Sequence, residues 1–405
     1  MWRSEYHARG WLAAGGAILL ALALFAGVDI YHAAGGRTAV GGDPAGPSLE
    51  PTSSAEATAP AEVEPEEPTG PAADTLTMSI AAKLSGDLSP KSVVAAPGGL
   101  VFAQNMMYRH TVSVFSSETR ELVETIRDKV VLAEYGYPEY TRAVQGAPVE
   151  AAVSADGASM YVSNYSMYGP GFSRPGDDVG GPNSGVDDSF VYRINLASLK
   201  IDQAIQVGAV PKYLATTPDG RYLLVSNWIS YTLSVVDVAT GREVRQVDIG
   251  RYPRGMAVTP DSRYAYVAAM GSSNVVKVDL TTFETTKISV GTTPRHIVLS
   301  PDGEFLYITL NLGNQVVKYD LAAGKVVAKV STGSQPRSMT ISPDGTALYV
   351  VNYESDSVSK VRTSDMAELQ EIEVGHHPIG ITYVTERGEI WACCYSGLIY
   401  VFTEE

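Results

Sequence analysis

Cysteine is almost absent: two residues in 405, adjacent at Cys393 and Cys394. That excludes a disulfide scaffold and any CxxC-type metal site. Neighbours on a strand point to opposite faces, so two separate reduced thiols is the plain reading and a strained vicinal disulfide the sharper one. Histidine is scarce, with six residues, and none shows metal-ligand spacing along the chain. Charge is low at 19% and basic residues are outnumbered 30 to 45, giving a net charge of −15. An acidic chain lacks the concentrated basic surface that phosphate backbones require, so nucleic acid is not an expected partner.

The charge is also uneven. Residues 38–75 hold eight acids, seven prolines and no Lys or Arg. With almost no large apolar side chains, this segment cannot offset its conformational entropy by burial and reads as an extended, self-repelling spacer. Ahead of it, Arg3 and Arg9 precede the uncharged run Trp11–Val28, eighteen residues long. That length suits a membrane-spanning helix better than a signal-peptide core, and the flanking charges place the body outside. Domain expectations follow: a membrane anchor or signal segment at 1–35, an acidic linker at 36–75 and a folded body at 76–405. The expected location is extracytoplasmic, tethered to the cytoplasmic membrane, with secretion after cleavage near residues 32–34 as the alternative.

What the body has in plenty is repetition. PDGRYLLVSN at 218–227 returns as PDSRYAYVAA at 260–269, PDGEFLYITL at 301–310 and PDGTALYVVN at 343–352. A proline opens each unit at 211, 253, 294, 336 and 378, at steps of 41 or 42 residues. Pro90 and Pro148 open two earlier units, lengthened by insertions near 127–147 and 166–188. Seven units therefore fill the body. Each reads as four short period-two strands joined by Gly- and Asp-containing turns, an antiparallel meander, which predicts a seven-bladed all-β propeller. The last unit lacks a fourth strand, and LTMSIAAKL at 76–84 is predicted to supply it and close the ring.

With PDG, YVSN at 161–164 and YVVN at 349–352, the body resembles the YVTN-type β-propeller repeat family. The resemblance implies a seven-bladed fold on a bacterial surface or in a periplasm. Lactonases and streptogramin lyases are more distant propellers. The motif is architectural, and no catalytic residue carries over from it.

In such a meander both insertions land on one face of the disc, where binding is expected. Three features line that face. The residue after the opening proline is basic in five blades: Lys91, Lys212, Arg254, Arg295 and Arg337. These either ring the channel mouth to attract an anion or pair with carboxylates of neighbouring blades. The residue ending each second strand is Met106, Tyr165, Trp228, Met270, Asn311, Tyr353 or Tyr395, and the insertions add Tyr135, Tyr137, Tyr140 and Tyr168. These aromatics suit a cell-wall glycan or a peptide, or else pack between blades. Catalytic candidates are few: Glu150 and His296, next to the basic position, then His110, His376 and His377. They would serve a hydrolase or lyase acting on an anionic or lactone-bearing small molecule. The acidic, Gly-rich loop at 177–188 is a candidate for calcium or a solvated loop, and it lacks EF-hand spacing.

Overall fold

The computed structural model describes residues 70–405; the expected anchor and most of the linker lie outside them. Seven antiparallel sheets are arranged as blades, each a meander of consecutive strands. Blade 1 runs Ser92–Ala96, Leu100–Asn105, Thr111–Ser116 and Leu122–Arg127. Blade 2 runs Val144–Val153, Ser159–Tyr168, Ser189–Asn195 and Lys200–Val207, with the short strand Lys129–Val130 paired beside Val144. Blades 3 to 6 begin at Pro211, Pro253, Pro294 and Pro336. Blade 7 combines Pro378–Val384, Glu389–Cys394 and Leu398–Glu404 with Met78–Leu84 from the N-terminal side. The closure predicted from the sequence is therefore present.

The recurring residues have mechanical jobs. In each PDG turn the Asp carboxylate accepts the backbone N–H two residues on, as Asp219 does from Arg221 at 3.0 Å and Asp302 from Glu304 at 2.9 Å. It also accepts the hydroxyl two residues before, from Thr217, Thr259, Ser300 or Ser342. The next residue is left-handed, which costs Gly220, Gly303 and Gly345 little; Ser262 adopts the same conformation at φ 58°. The Asn that ends the second strand ties it to the third. Asn105, Asn227 and Asn352 each donate to two hydroxyls on the adjacent strand, with Asn227 reaching Thr232 at 3.1 Å and Ser234 at 2.8 Å.

The core is not one mass. It consists of apolar wedges, each shared by two neighbouring blades, because alternate side chains of a blade face opposite neighbours. Leu224, Val235, Met256 and Val267 fill the wedge between blades 3 and 4; Tyr349, Val358, Ile390 and Phe402 fill that between blades 6 and 7. The two thiols obey the same rule. Cys393 faces blade 1 and Cys394 faces blade 6; both are free and buried. The turn Ala73–Thr75, which composition assigned to the linker, docks on blade 6 with Ala73 buried.

Candidate functional site

Each blade's innermost strand opens at the channel, and the structure shows why the residue after the proline points into it. Pairing between first and second strands slips just after Pro211, Pro253, Pro294, Pro336 and Pro378, so the following residue sits in a bulge. Bulges re-aim side chains and concentrate near functional sites. The residue before each of these prolines has positive φ: Val210 57°, Tyr252 58°, Thr293 52°, Gln335 54° and His377 56°. For β-branched Val210 and Thr293 this conformation is strained.

Lys212, Arg254 and Arg337 thus converge on a cavity of about 320 Å³, where Lys91 joins them without a bulge after Pro90, together with Met106, Tyr165, Tyr168, Asp178 and Tyr395. Arg295 lies within their electrostatic reach. Of these five cations only Lys212 forms an ion pair with a described residue, Asp178, at 2.6 Å. Its partner comes from the longer insertion, a loop of the neighbouring blade 2, so for Lys212 the pairing across blades holds and for the other four it does not. Lys91 and Arg295 are each only 6% exposed, and the Nε atoms of Arg254 and Arg337 are buried without a hydrogen-bond partner.

The aromatic series and the basic series interleave. Lys212 lies 4.2 Å from the Tyr165 ring centroid and 5.3 Å from that of Trp228. Arg254 sits 4.9 Å from Trp228, Arg337 3.2 Å from Tyr353 and Lys91 6.0 Å from Tyr395. Arg295 instead approaches the Met270 sulfur at 4.0 Å. Ring faces hold cations in place without neutralising them.

Crowding of like charge in a dry site shows in the titrations. Burial, then the Arg254 charge, brings Lys212 down to about 7 although Asp178 supports its charged form. Burial holds Arg337 down at about 10, and burial with Arg254 and Arg295 depresses Lys91 well below the ordinary lysine range. Burial works against the Asp178 carboxylate, yet Lys212 holds it at about 2.

Below this layer the channel continues as a cavity of about 200 Å³ lined by Ser92, Glu150, Tyr213, His296, Ser338 and Thr382. Burial pushes the Glu150 carboxyl up to about 7 against the pull of Lys91. Burial and Arg295 depress His296 to about 3, so it is neutral at pH 7. His296 packs edge-on against Tyr213 at 5.2 Å.

Other candidates fall elsewhere. Tyr168 lines the mouth and meets His110 edge-on, while His110 Nδ1 donates to the Gly146 carbonyl at 2.7 Å. Tyr137 and Tyr140 pack on Phe190 at the outer part of blade 2, and the Tyr135 hydroxyl reaches the Ile201 carbonyl on its outermost strand. These three tyrosines do have a blade to pack into, and they stand away from the ring. His376 and His377 stack on each other beside Tyr353, paired with Asp356 and Glu354. The acids of 177–188 diverge: Asp178 turns to Lys212, Asp187 accepts the Arg174 N–H, and Asp188 lines a separate cavity with Tyr137 and Arg242. No group of three or more metal-ligating side chains is assembled among the described residues.

Fold and site together define a seven-bladed propeller with a cation-lined channel mouth. Residues 246–377 match the family model described as lactonase, 7-bladed beta-propeller, which covers about a third of the chain. The matched stretch carries Arg254, Arg295 and Arg337; the match does not extend to a YVTN-type repeat assignment. Among solved structures the chain is similar to Kuenenia stuttgartiensis hydrazine synthase, at 19% identity and a TM-score of 0.60, over 78% of this chain and 96% of that one. At that identity the likeness concerns the fold. No curated protein gave a significant match.

Proposed function

We propose that this propeller is a binding module for a small anion, held outside the cytoplasmic membrane, with the channel mouth as its site. One observation carries the binding reading: five buried or half-buried cations converge, and one described carboxylate pairs with one of them. Left without counter-ions, such groups repel each other, and an anion of two or more charges relieves that repulsion. The apolar run behind Arg3 and Arg9 and the acidic spacer that follows support the tether. Thermal melts of the full-length protein in detergent, titrated with phosphate, sulfate and citrate, test the site. The expected result is a rise in Tm that salt weakens; no rise with any of the three removes the reading. A reporter fused after Glu405 is expected to be active only outside the cytoplasm.

A second reading is favoured by the lactonase-model match and by Glu150 beneath the ring. Here Glu150 takes a proton from water, the water oxygen attacks a lactone carbonyl, and the ring C–O bond breaks. The proton returns to the leaving oxygen, and the cations stabilise the oxyanion. Hydrolysis of an anionic lactone that Glu150→Gln abolishes would establish it; binding without turnover leaves the module.

A further inference from the structure

The channel mouth does not end at the cations. A second cavity of about 770 Å³ shares Met106, Met107, Tyr108, Asp178 and Tyr395 with the cationic one and extends over Leu88, Tyr353 and Gly397. None of the five ring cations lines this outer part. Its one basic residue, Arg109, is already paired with Asp87 at 2.6 Å. The site is therefore divided: unneutralised positive charge at the mouth, and thioether and aromatic surface leading away from it.

The lip of the apolar part is unusual for a solvated loop. Met107 is 36% exposed and Tyr108 86% exposed, side by side on the loop between the second and third strands of blade 1. At the same place blade 4 has Gly271 and Ser272, blade 7 has Ser396 and Gly397, and blade 5 has a single exposed apolar residue, Leu312, followed by Gly313. The loop is pinned rather than loose: Arg109 N–H donates to the Met107 carbonyl at 2.8 Å and His110 N–H to that of Asn105 at 2.9 Å. Tyr108 and His110 are held at φ 67° and 52°. A fold that fixes two large apolar side chains in water beside a charged mouth has a use for their surface. Methionine adapts to varied apolar shapes, and tyrosine offers a flat face at low entropy cost.

We propose that the ligand is an amphiphilic anion: a phosphate- or carboxylate-type head seated among Lys91, Arg254 and Arg337, and an apolar body lying along Met106, Met107 and Tyr108. The inference rests on the anion-binding reading and adds the chemistry of the rest of the ligand. A bare anion fills only the charged part, whereas an apolar compound without charge leaves the cations uncompensated.

Isothermal titration of the full-length protein with methyl, butyl and hexyl phosphate tests it, below their micelle concentrations. Inorganic phosphate and hexanol serve as controls. Affinity is expected to rise roughly two- to fourfold per sheltered methylene, with hexanol unbound. In the Met107→Ser/Tyr108→Ser variant the ratio of hexyl phosphate to phosphate affinity is expected to collapse. Both side chains are exposed, so the variant keeps its core. A flat series with phosphate still bound overturns the apolar body and leaves the anion site standing. No binding by phosphate or any alkyl phosphate overturns both. Hexanol binding as tightly as hexyl phosphate overturns the amphiphile in favour of a plain apolar groove.

Discussion

Two regions of this propeller bury lysine, in opposite ways. At the closure seam Lys360 is fully buried, 2.5 Å from Glu404, and donates to the carbonyls of Ala73 at 2.6 Å and Leu76 at 2.8 Å. Glu404 also accepts the Tyr349 hydroxyl at 2.7 Å. The lysine's charge there is met by protein, with Glu404 Oε1 answered through the ion pair alone. At the channel mouth Lys91 is almost as deeply buried, yet no described carboxylate lies within ion-pair distance of it. A satisfied buried charge belongs to the fold, while an unsatisfied one in a cavity points to something the protein binds.

The contrast breaks hardest at the seam. Deleting residues 1–85 removes the outer strand of blade 7 and opens a hydrophobic edge, so little folded protein is expected. Deleting residues 1–74 keeps the strand and is expected to melt closer to the full chain. Lys360→Ala strands Glu404 in an apolar wedge and is expected to cost about 3–5 kcal/mol in denaturant unfolding. Equal melting of the two truncations would show that Met78–Leu84 does not close the ring.

The mouth is expected to behave the other way. Arg254→Gln with Arg295→Gln removes two mutually repelling charges that make no described ion pair, so stability should hold or rise. Anion affinity should fall by about 30- to 900-fold, at about 1–2 kcal/mol for each of the two charges removed, with a shallower salt dependence. A clear loss in thermal stability would mean that these arginines are structural after all.

Acidity sharpens the same point. Lys212 titrates at about 7 and loses its positive charge as pH rises through that value. Glu150 also titrates at about 7 and gains negative charge over the same window. Both changes make the channel less attractive to anions, so affinity measured by titration should be roughly tenfold higher at pH 6 than at pH 8. A flat profile would mean that neither group faces the ligand.

Much of this was legible in the sequence, for physical reasons. Period-two strands and turn residues repeat because every blade solves the same packing problem, so seven blades and the borrowed strand at 76–84 could be counted. The basic residue after five of the seven opening prolines was visible too, and for four of them the bulge that aims it recurs with the proline. What pairs with those cations was not visible. Asp178 lies in an insertion with no repeat to align it, and only folding brings it to Lys212. Tyr135, Tyr137 and Tyr140 were misleading for the same reason: a residue's face can be read from strand period, but an insertion's distance from the axis cannot. Met107 and Tyr108 escaped notice although their loop is one residue longer than the corresponding loop in blade 3.

The smallest expected effect concerns Asp178, the one described carboxylate that forms an ion pair with a ring cation. Its carboxylate pairs with Lys212 and accepts the Tyr165 hydroxyl at 3.4 Å, while its backbone carbonyl accepts Trp228 Nε1–H at 3.2 Å. The next turn of the loop is held separately, because the Tyr231 and Tyr252 hydroxyls both donate to the Gly180 carbonyl. Replacing the carboxylate alone therefore leaves the loop anchored through its backbone. Asp178→Asn removes a negative charge that competes with the incoming anion, although Lys212 then holds its proton less readily, so phosphate affinity measured at pH 6 should rise severalfold. The carboxylate is exposed and the buried Lys212, already at about 7, relieves its loss by giving up a proton, so a folding change on the order of 1 kcal/mol is expected. If affinity instead falls, Asp178 is positioning Lys212 rather than occupying its place, and the ring's working charge is that of Lys91 and the arginines.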